Sequence, residues 1–355
     1  MSWFVLMEMA LVALMTIYLT YHTHLVFKHI RHAKIITLII IVTLIILCQF
    51  SMLVFGFLAN ACICFVAFDL INLILFKTRF DRHFKFIYQR GIVTLIISLI
   101  LSCYGIYNAK NTIVTSYDVN IDKEFEDKTL LVVSDIHLST AVDVNDLYKI
   151  KDQVDKIKPD ALILLGDIYD EGTTQEDFDG SLKVFKEIAE DNLVYYIEGN
   201  HEIGFQGGCP LKELDVVDNL TDIGVHVLLD EVVELDDIYL IGRKDYVVSK
   251  RASLKSLVSN LDDDKPLVLL DHQPHEYDIN KEQGIDLELS GHTHAGQIFP
   301  LQYLFDLVKV NDLNYGMITD GNFHAIVTSG MGTWGYAMRS AKHSEILQVN
   351  LISNK

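Results

Sequence analysis

The feature that most limits the fold is an almost continuous apolar stretch from residue 35 to residue 76, in which Asp69 is the only formal charge. At about 1.5 Å per helical residue, this stretch is roughly twice as long as one crossing of a ~30 Å hydrocarbon layer requires. It predicts two helices with a tight turn near residues 56–60. Residues 3–21 and 91–109 are two further apolar runs of crossing length. The sequence therefore predicts an α-helical membrane domain over residues 1–110, with four transmembrane helices at about 3–21, 35–56, 58–76 and 91–109.

Charge divides the chain at the same place as apolarity. The 355 residues carry a net charge of −19 and a mean hydropathy of +0.26. Up to Lys110 there are 9 Lys and Arg against 3 Asp and Glu, which leaves 20 against 45, a net charge of −25, for the remainder. Of the five cysteines only Cys209 lies in that acidic remainder, so neither an internal disulfide nor a thiolate metal site is expected there.

The basic residues of the loops predict the orientation of the chain. The loop of residues 28–34 holds three Lys and Arg and the loop of residues 77–90 holds five, so both are expected on the cytoplasmic face. With four spans, the part after Lys110 lies outside the cytoplasm and the chain is a multi-pass protein of the cell membrane; one span fewer would invert this. A cleaved signal peptide is the alternative for residues 3–21, but that run lacks a basic start and carries Glu8.

Glu8 and Asp69 are acids inside the predicted spans, and such residues raise the question of a buried functional site. Each is equally consistent with a place near the membrane interface, or with a neutral carboxyl that is hydrogen-bonded to a neighbouring helix. The sequence leaves their role open.

After a polar connector over residues 111–128, one pattern occurs five times in residues 129–355. A short apolar run, typical of a buried strand, is followed at once by a cluster of Asp, His or Asn. The runs are residues 130–133, 161–165, 193–197, 267–270 and 287–289, and the clusters after them begin at Ser134, Gly166, Glu198, Asp271 and Ser290.

Helical patterns lie between the first three of these runs. Leu147, Ile150, Val154 and Ile157 are spaced by three and four residues and stop before Pro159, and a similar pattern spans residues 182–188. Strands that alternate with helices predict an α/β unit whose ligands gather at the carboxyl ends of the strands. Later strand-like runs at residues 238–241, 325–328 and 346–349 lack long helices between them and predict a second sheet packed on the first.

The polar clusters supply two carboxylates, one amide oxygen and four imidazoles that can bind metal. These are Asp135, His137, Asp167, Asn200, His272, His292 and His294. The mixture suits Mn²⁺, Fe²⁺ or Zn²⁺, and seven ligands are too many for one ion. Asp167 has two oxygens and can bridge ions about 3.5–4 Å apart, where a shared water becomes a hydroxide nucleophile for phosphoryl displacement. A packed or surface role explains any one of these histidines as well, but it does not explain why all of them follow apolar runs.

Three neighbouring residues are candidates for other roles. His201 follows Asn200 directly, so it can lie beside the ions without binding one, and when protonated it can give its proton to the departing oxygen. Glu202 would orient His201 or keep it charged. Asp170 is either an acid that holds a metal-binding histidine or an ordinary loop carboxylate.

In order, the clusters read D-x-H from Asp135, G-D-x-x-D over residues 166–170, G-N-H-E over residues 199–202, a single His272, and G-H-x-H over residues 291–294. This set resembles the calcineurin-like metallophosphoesterase superfamily. The stretches 291–298 and 329–339 are similar to its membrane-anchored bacterial branch, and the resemblance covers the chain from about residue 129 onwards. Two residues, Glu198 and Ala295, depart from the usual pattern, but neither departure removes a ligand.

The resemblance implies a two-sheet α/β/β/α sandwich with a dinuclear metal centre that hydrolyses phosphomonoesters or phosphodiesters, with His201 as the catalytic acid. One ion would be bound by Asp135, His137, Asp167 and His294, and the other by Asp167, Asn200, His272 and His292. Trp334 and Arg339 would line the mouth of the pocket, where the fork of donors on Arg339 suits a phosphate. A packed Trp and a salt-bridged Arg are nearly as good an explanation.

The expected function is that of a membrane-anchored phosphoesterase facing outwards. A domain charge of −25 repels polyphosphates, so no nucleic acid partner is expected. Membrane lipid is the expected partner, and the substrate is expected at the bilayer or envelope surface, as a lipid head group, a nucleotide-linked lipid or an envelope polymer. The alternatives are a non-catalytic metal- or ligand-binding receptor or scaffold on the same fold, and a cytoplasmic-facing hydrolase of lipid precursors.

Overall fold

The computed structural model describes residues 3–28, 31–50, 52–78, 80, 91–204 and 215–355. The side chain of Glu8, Cys209 and most of the basic loop 77–90 lie outside what it describes. The chain forms two compact units, Met1–Tyr107 and Asn108–Lys355. Each unit is described by itself.

Helices occupy all four predicted spans: α1 (Trp3–Phe27), α2 (Ala33–Phe50), α3 (Met52–Leu75) and α4 (Ile92–Lys110). Over the described residues, two helices are long and apolar enough to cross a membrane, at Leu53–Leu75 and Ile92–Lys110, and a shorter apolar helix covers Ala33–Leu44. Over these residues the prediction of four transmembrane helices is therefore corrected to two, and the apolar part of α2 described there, Ala33–Leu44, is shorter than the roughly 20 residues that a crossing needs.

The turn predicted near residues 56–60 is wrong, because these residues lie inside α3. Gly and Asn are turn residues in water, but packing against another helix tolerates both within a helix. Asn60 is buried, and its Nδ2 donates to Ser102 Oγ on α4 at 3.1 Å. The side-chain amide is thereby satisfied without a turn.

Asp69 on α3 is hydrogen-bonded to a neighbouring helix. Its Oδ2 accepts from Tyr18 Oη and lies 3.2 Å from Nε2 of His22, both on α1. A hydrogen bond to a neighbouring helix is one of the two structural roles that the sequence allows for Asp69.

The Asn108–Lys355 unit contains two six-stranded sheets. The first has the order β1-β12-β2-β3-β4-β5 and the second β10-β11-β9-β8-β7-β6. The strands are β1 (Thr112–Ile121), β2 (Lys128–Val133), β3 (Ala161–Leu165), β4 (Val194–Ile197), β5 (His226–Val227), β6 (Glu231–Leu235), β7 (Ile238–Gly242), β8 (Leu267–Leu270), β9 (Leu287–Ser290), β10 (Gly316–Asp320), β11 (Phe323–Val327) and β12 (Ser344–Ser353).

Helices cover the outer face of each sheet. The described α-helices of this unit are α5 (Val144–Ile157), α6 (Gln175–Ala189), α7 (Val216–Asp222), α8 (Leu254–Val258), α9 (Tyr277–Glu282) and α10 (Leu301–Val308), of which all but α10 pack on a sheet. One apolar cluster joins α5, α6 and α7 to the first sheet, a second fills the space between the sheets, and a third joins α8 and α9 to the second sheet. The predicted two-sheet α/β domain is confirmed, but the prediction that residues 346–349 belong to the second sheet is wrong, because β12 pairs with β1 and β2 in the first sheet.

The helix predicted to stop before Pro159 has the expected ends. Asp143 caps α5 by accepting from the backbone N–H groups of Asn145 and Asp146, and the helix closes at Lys158 with a left-handed backbone. The predicted strand ends also hold to within two residues, except that β12 continues four residues beyond its predicted end, to Ser353. The apolar period therefore suffices for these elements.

The connector predicted over residues 111–128 contains strand β1, which pairs in parallel with β12 from Thr112↔Ser344 to Ile121↔Ser353. Val119 and Ile121 are buried in the core between the sheets. Apolar and polar residues alternate in this segment, which is the pattern of a strand with one buried face. The polar residues between Val119 and Ile121 led instead to the prediction of a connector.

Candidate metal centre

The five polar clusters meet at one edge of the sandwich because the strands that precede them run in the same direction. β2, β3 and β4 are parallel neighbours in the first sheet, as are β8 and β9 in the second. Backbone hydrogen bonds join the loops, from Asp135 N to Gly166 O at 3.0 Å and from His137 N to Asp167 O at 3.1 Å. The site is therefore built at the carboxyl ends of strands, as the sequence predicts.

One group of predicted ligands consists of Asp135, His137 and His294, whose ligand atoms all lie within 4.8 Å of one another. The two Nε2 atoms of His137 and His294 are 3.0 Å apart, and His294 Nε2 lies 3.6 Å from Asp135 Oδ1. All three residues are buried. Two imidazole nitrogens and a carboxylate that converge in this way can hold one cation.

A second group consists of Asp167, His272 and His292, again with ligand atoms within 4.8 Å of one another. Asp167 lies between the two groups, because its Oδ2 is 3.0 Å from His272 Nε2 and 3.9 Å from His137 Nε2. A carboxylate in this place can be shared by two ions.

Asn200 fits the same site. It is almost completely buried, and within the part of the chain that the structure describes its Oδ1 has no hydrogen-bond partner. The next residue along the chain is tied to the shared carboxylate, since His201 N donates to Asp167 Oδ1 at 2.8 Å. A buried carbonyl oxygen without a partner costs free energy unless a ligand satisfies it, and a divalent cation would do so. The structure thus brings six of the seven predicted ligands into two groups and leaves the seventh with a free oxygen.

The backbone of the site is strained. Asp135, His137, Asp167, His292 and His294 have φ between 44° and 68°, in the left-handed region that residues with a Cβ rarely adopt. Such conformations cost of order 1–3 kcal/mol each and persist where surrounding structure imposes them. Five of the seven predicted ligands therefore point inwards at the expense of stability, which is typical of a functional site.

Two glycines make room for the carboxylates. A Cβ on Gly291 would lie 2.3 Å from Asp135 Oδ2 and 2.1 Å from Ser134 Oγ, and a Cβ on Gly199 would lie 2.3 Å from Asp167 Oδ1. Any side chain at these two positions would displace a predicted ligand.

Burial and neighbouring charges set the protonation of the metal-free site. Burial raises the pKa of Asp135. For Asp167 burial acts in the same direction, but the adjacent His272 outweighs it and holds the pKa well below its usual value, and Asp167 in turn raises the pKa of His272 against the effect of burial. Burial and the charge of His272 lower the pKa of His292 to about 3.

Burial and, after it, the electrostatic effects of the neighbouring His137 and Arg339 likewise lower the pKa of His294. His292 and His294 are therefore neutral at pH 7, and a neutral imidazole is the form that binds metal.

Two of the histidines are held by their other ring nitrogen. His137 Nδ1 lies 3.0 Å from Asp170 Oδ2, and His272 Nδ1 lies 2.9 Å from the carbonyl oxygen of Leu165. In the neutral form that binds metal, a proton on Nδ1 would leave the lone pair of Nε2 facing the site. Asp170 thus has the first of the two roles that the sequence allows.

The partner of His201 was missed by the sequence reasoning. His201 Nδ1 lies 2.9 Å from Glu171 Oε2, and its ring stands 4.9 Å from that of His137. Burial alone would lower the pKa of His201, but the hydrogen bond to Glu171 raises it to about 9, and the same bond lowers the pKa of Glu171 to about 2. Glu171 follows Asp170 directly, so an acid next to G-D-x-x-D was the available signal.

The prediction that Glu202 orients His201 is wrong. The carboxylate of Glu202 instead accepts backbone N–H groups from both loops that carry Asp167 and Asn200. The donors are Asp167, Ile168, Tyr169 and Gly199, at 2.6–3.0 Å. Burial and the charge of Asp167 raise its pKa to about 7. Glu202 therefore fixes the two loops relative to each other.

Trp334 and Arg339 separate in the structure. The ring of Trp334 is partly exposed and lies 5.6 Å from that of His201, beside the site as expected. Arg339 is fully buried, and its guanidinium donates to the carbonyl oxygens of His294 and Gly332 at 2.9 and 2.5 Å. The prediction that Arg339 binds phosphate is wrong, because its donors already hold the turn that carries His294.

The same domain is similar to known proteins. Residues 128–296 match the family model described as calcineurin-like phosphoesterase. An uncharacterized metallophosphoesterase of Helicobacter pylori strain J99 is 30% identical over 240 residues, which cover 66% of this chain and 62% of the relative. The chain therefore spans less than two thirds of that relative's length.

Two other relatives cover more of the chain. An uncharacterized metallophosphoesterase of Campylobacter jejuni is 29% identical over 301 residues, covering 82% of this chain and 78% of the relative. A transmembrane protein with metallophosphoesterase domain from Danio rerio is 28% identical over 279 residues, covering 74% and 63%. Together with the two membrane-length helices, the last similarity indicates membrane association.

Proposed function

Because this chain carries a domain of the calcineurin-like phosphoesterase family, we propose that it is a membrane-anchored, metal-dependent phosphoesterase that hydrolyses phosphomonoesters or phosphodiesters. The observation that carries the proposal is the pair of ligand groups, which meet at Asp167: this residue belongs to the second group and lies 3.9 Å from His137 of the first. The free Oδ1 of Asn200 supports it. A scaffold without catalysis would have no chemical need for this arrangement next to a charged His201.

In the proposed centre, one ion is bound by Asp135, His137, Asp167 and His294, and the other by Asp167, Asn200, His272 and His292. The bound ions, as Mn²⁺, Fe²⁺ or Zn²⁺, would supply Lewis-acid charge to the phosphoryl oxygens and activate water near neutral pH. The donors agree with this choice, since mixed carboxylate, amide and imidazole ligands suit such ions.

His201 acts as the general acid in this proposal. In the metal-free site its pKa of about 9 keeps the imidazole protonated at pH 7, and Glu171 lies 2.9 Å from Nδ1, so the proton given to the substrate would come from Nε2. The adjacent Trp334 limits water on one side of this proton. The proton is then available for the oxygen that leaves phosphorus.

The proposed substrate is a phosphoester at the bilayer or envelope surface, either lipid-linked or part of an envelope polymer. The net charge of −25 after Lys110 disfavours nucleic acid. The basic loop of residues 77–90, between the two membrane-length helices, would lie in the cytoplasm, so the proposed multi-pass anchor leaves the catalytic domain outside it; a reporter fused at Lys355 tests this orientation.

The experiment is a screen of the purified full-length chain, supplied with Mn²⁺, against monoesters, diesters and envelope lipids. His292→Ala is expected to abolish turnover with an unchanged circular dichroism spectrum, because it removes a ligand of one group. His226→Ala is the matched control, since His226 is exposed and lies outside both groups. Full activity of His292→Ala would refute the proposed centre, and fewer than about one ion per chain in the wild type would favour a non-catalytic binding protein.

A further inference from the structure

Helix α10 is the apolar surface that the proposed chemistry does not use. We call its exposed apolar side chains, with those on either side of it, the α10 face: Phe299, Tyr303, Leu304, Leu307, Val308 and Val310, each between 50% and 78% exposed. α10 has no buried residue of its own. Single exposed apolar residues are ordinary, but six on one short segment form a patch that marks an interaction surface.

The chain around α10 lies next to the end of a membrane-length helix. Phe299 N donates to Ser340 Oγ at 3.0 Å, and the N–H groups of Ser340 and Ala341 donate to Gln297 O. From the other side, Asn108 Nδ2 donates to the carbonyl oxygens of Arg339 and Lys342 at 3.2 and 2.5 Å. Asn108 is in the last turn of α4, which ends at Lys110. The segment 339–342 thus links the start of α10 to Asn108, near the end of α4.

Two lysines lie beside this point and a third follows the end of α10, although the domain as a whole is strongly acidic. Lys149 Nζ donates to the carbonyl oxygen of Lys110 at 3.1 Å, and Lys342 Nζ lies 4.8 Å from the centre of the Tyr315 ring. Lys309 follows α10 directly and is exposed. Lysines beside an apolar face are typical of segments that lie at a lipid surface, where they meet anionic head groups.

We propose that the α10 face lies in the interfacial layer of the bilayer that anchors the chain, with lipid as its partner. The apolar side chains enter the boundary between head groups and acyl chains, and the aromatic rings of Phe299 and Tyr303 lie at head-group level. Exposure, the neighbouring end of α4 and the lysines are three separate observations in support.

The contact would also position the candidate metal centre. α10 packs on the turn His294–Gly296, so closely that a Cβ on Gly296 would lie 2.5 Å from Gln302 N. A bilayer that holds α10 therefore holds the loop of His294 close to the lipid surface. This second step rests on the proposed function, whereas the lipid contact does not.

The lipid contact is tested with the full-length chain in nanodiscs of phosphatidylcholine, with and without bromine on the acyl chains. Leu307→Trp places a fluorophore on the α10 face, and the spectrum of the wild type, with its two tryptophans, is subtracted. Leu193→Trp is the matched control, because Leu193 is 42% exposed and lies just before β4, outside the α10 face. We expect brominated lipid to quench at least half of the added emission for Leu307→Trp and none for Leu193→Trp.

Equal quenching of the two variants would overturn the proposal. So would a blue-shifted Leu307→Trp emission that brominated lipid does not quench, because a second copy or another protein would then cover the helix. As a second measurement, Leu304→Gln combined with Leu307→Gln is expected to reduce turnover of a vesicle-borne ester at least tenfold relative to a soluble ester. No turnover of any ester by the wild type would refute the proposed function and leave the quenching result standing.

Discussion

Replacing Asp170 by Asn tests whether the two groups of side chains bind metal. Asp170 Oδ2 lies 3.0 Å from His137 Nδ1, and the two side chains are 4% and 0% exposed. Asn has the same size, and its single carbonyl oxygen can accept the hydrogen bond from His137 Nδ1, while the amide NH2 takes the place of the oxygen that accepts from Gly172 N at 2.8 Å, so that exposed-loop hydrogen bond is lost. The substitution therefore removes the charge behind His137 and leaves the fold.

The expected loss of metal affinity follows from the burial of this hydrogen bond. A hydrogen bond to a charged group contributes about 1.5–3 kcal/mol, and solvent does not screen this one. Loss of a carboxylate behind a metal-binding histidine typically weakens metal affinity 10–100-fold, or about 1.4–2.7 kcal/mol. The two estimates agree, so we expect Mn²⁺ to bind one of the two sites 10–100-fold more weakly.

The assay is a titration of the metal-free full-length chain with Mn²⁺, in which electron paramagnetic resonance measures the free ion. Asp179→Asn is the control, because Asp179 lies on the exposed surface of α6 and accepts only from Gln175 within the described residues. An unchanged affinity at both sites in Asp170→Asn, or an equal loss in Asp179→Asn, would refute this reasoning.

Three further predictions concern the centre and its support. His201→Gln is expected to lower kcat by about 10²–10⁴-fold with unchanged metal content by mass spectrometry, since it removes only the acid. Gly291→Ala is expected to reduce metal content, because its Cβ displaces Asp135. Burial and the charge of Asp271 raise the pKa of Glu288 well above 4.5 in the folded chain. The folded chain therefore loses stability as the pH rises above the lower pKa that Glu288 has in the unfolded chain. Glu288→Gln should raise Tm at pH 8 by several degrees, at about 2–4 °C per kcal/mol, and the gain should shrink at pH 4; an equal gain at both would contradict the assignment.

Much of the site was predictable because its signals are local. A buried strand followed at once by Asp or His occupies a few consecutive residues, and parallel pairing then brings the strand ends together. Asp135, Asp167 and His292 were found in this way. The pairing of Asp170 with His137 was foreseen as one of two roles, since chemistry restricts what a buried acid beside a histidine can do.

What the sequence did not predict depends on contacts between distant segments. Glu202 and Glu171 are both acids near His201, and only the folded loops decide that Glu171 reaches its ring. Arg339 has the donors for a phosphate, but it is buried and donates to the carbonyl oxygens of Gly332 and of His294, which lies 45 positions away in the sequence. The helix break near residues 56–60 was misplaced because Asn60 finds its partner on another helix.

The parallel pairing of β1 with β12 has a consequence for the order of synthesis. β1 emerges from the ribosome directly after α4, but its only strand partner in the described sheet is β12, which is made after every other strand. Until then β1 and the adjacent edge of β2 have unpaired N–H and C=O groups, which are the template for aggregation. The loops that carry Asp135 and His292 can therefore be complete while the sheet beneath them is still open, and the sheet closes only when β12 has been made.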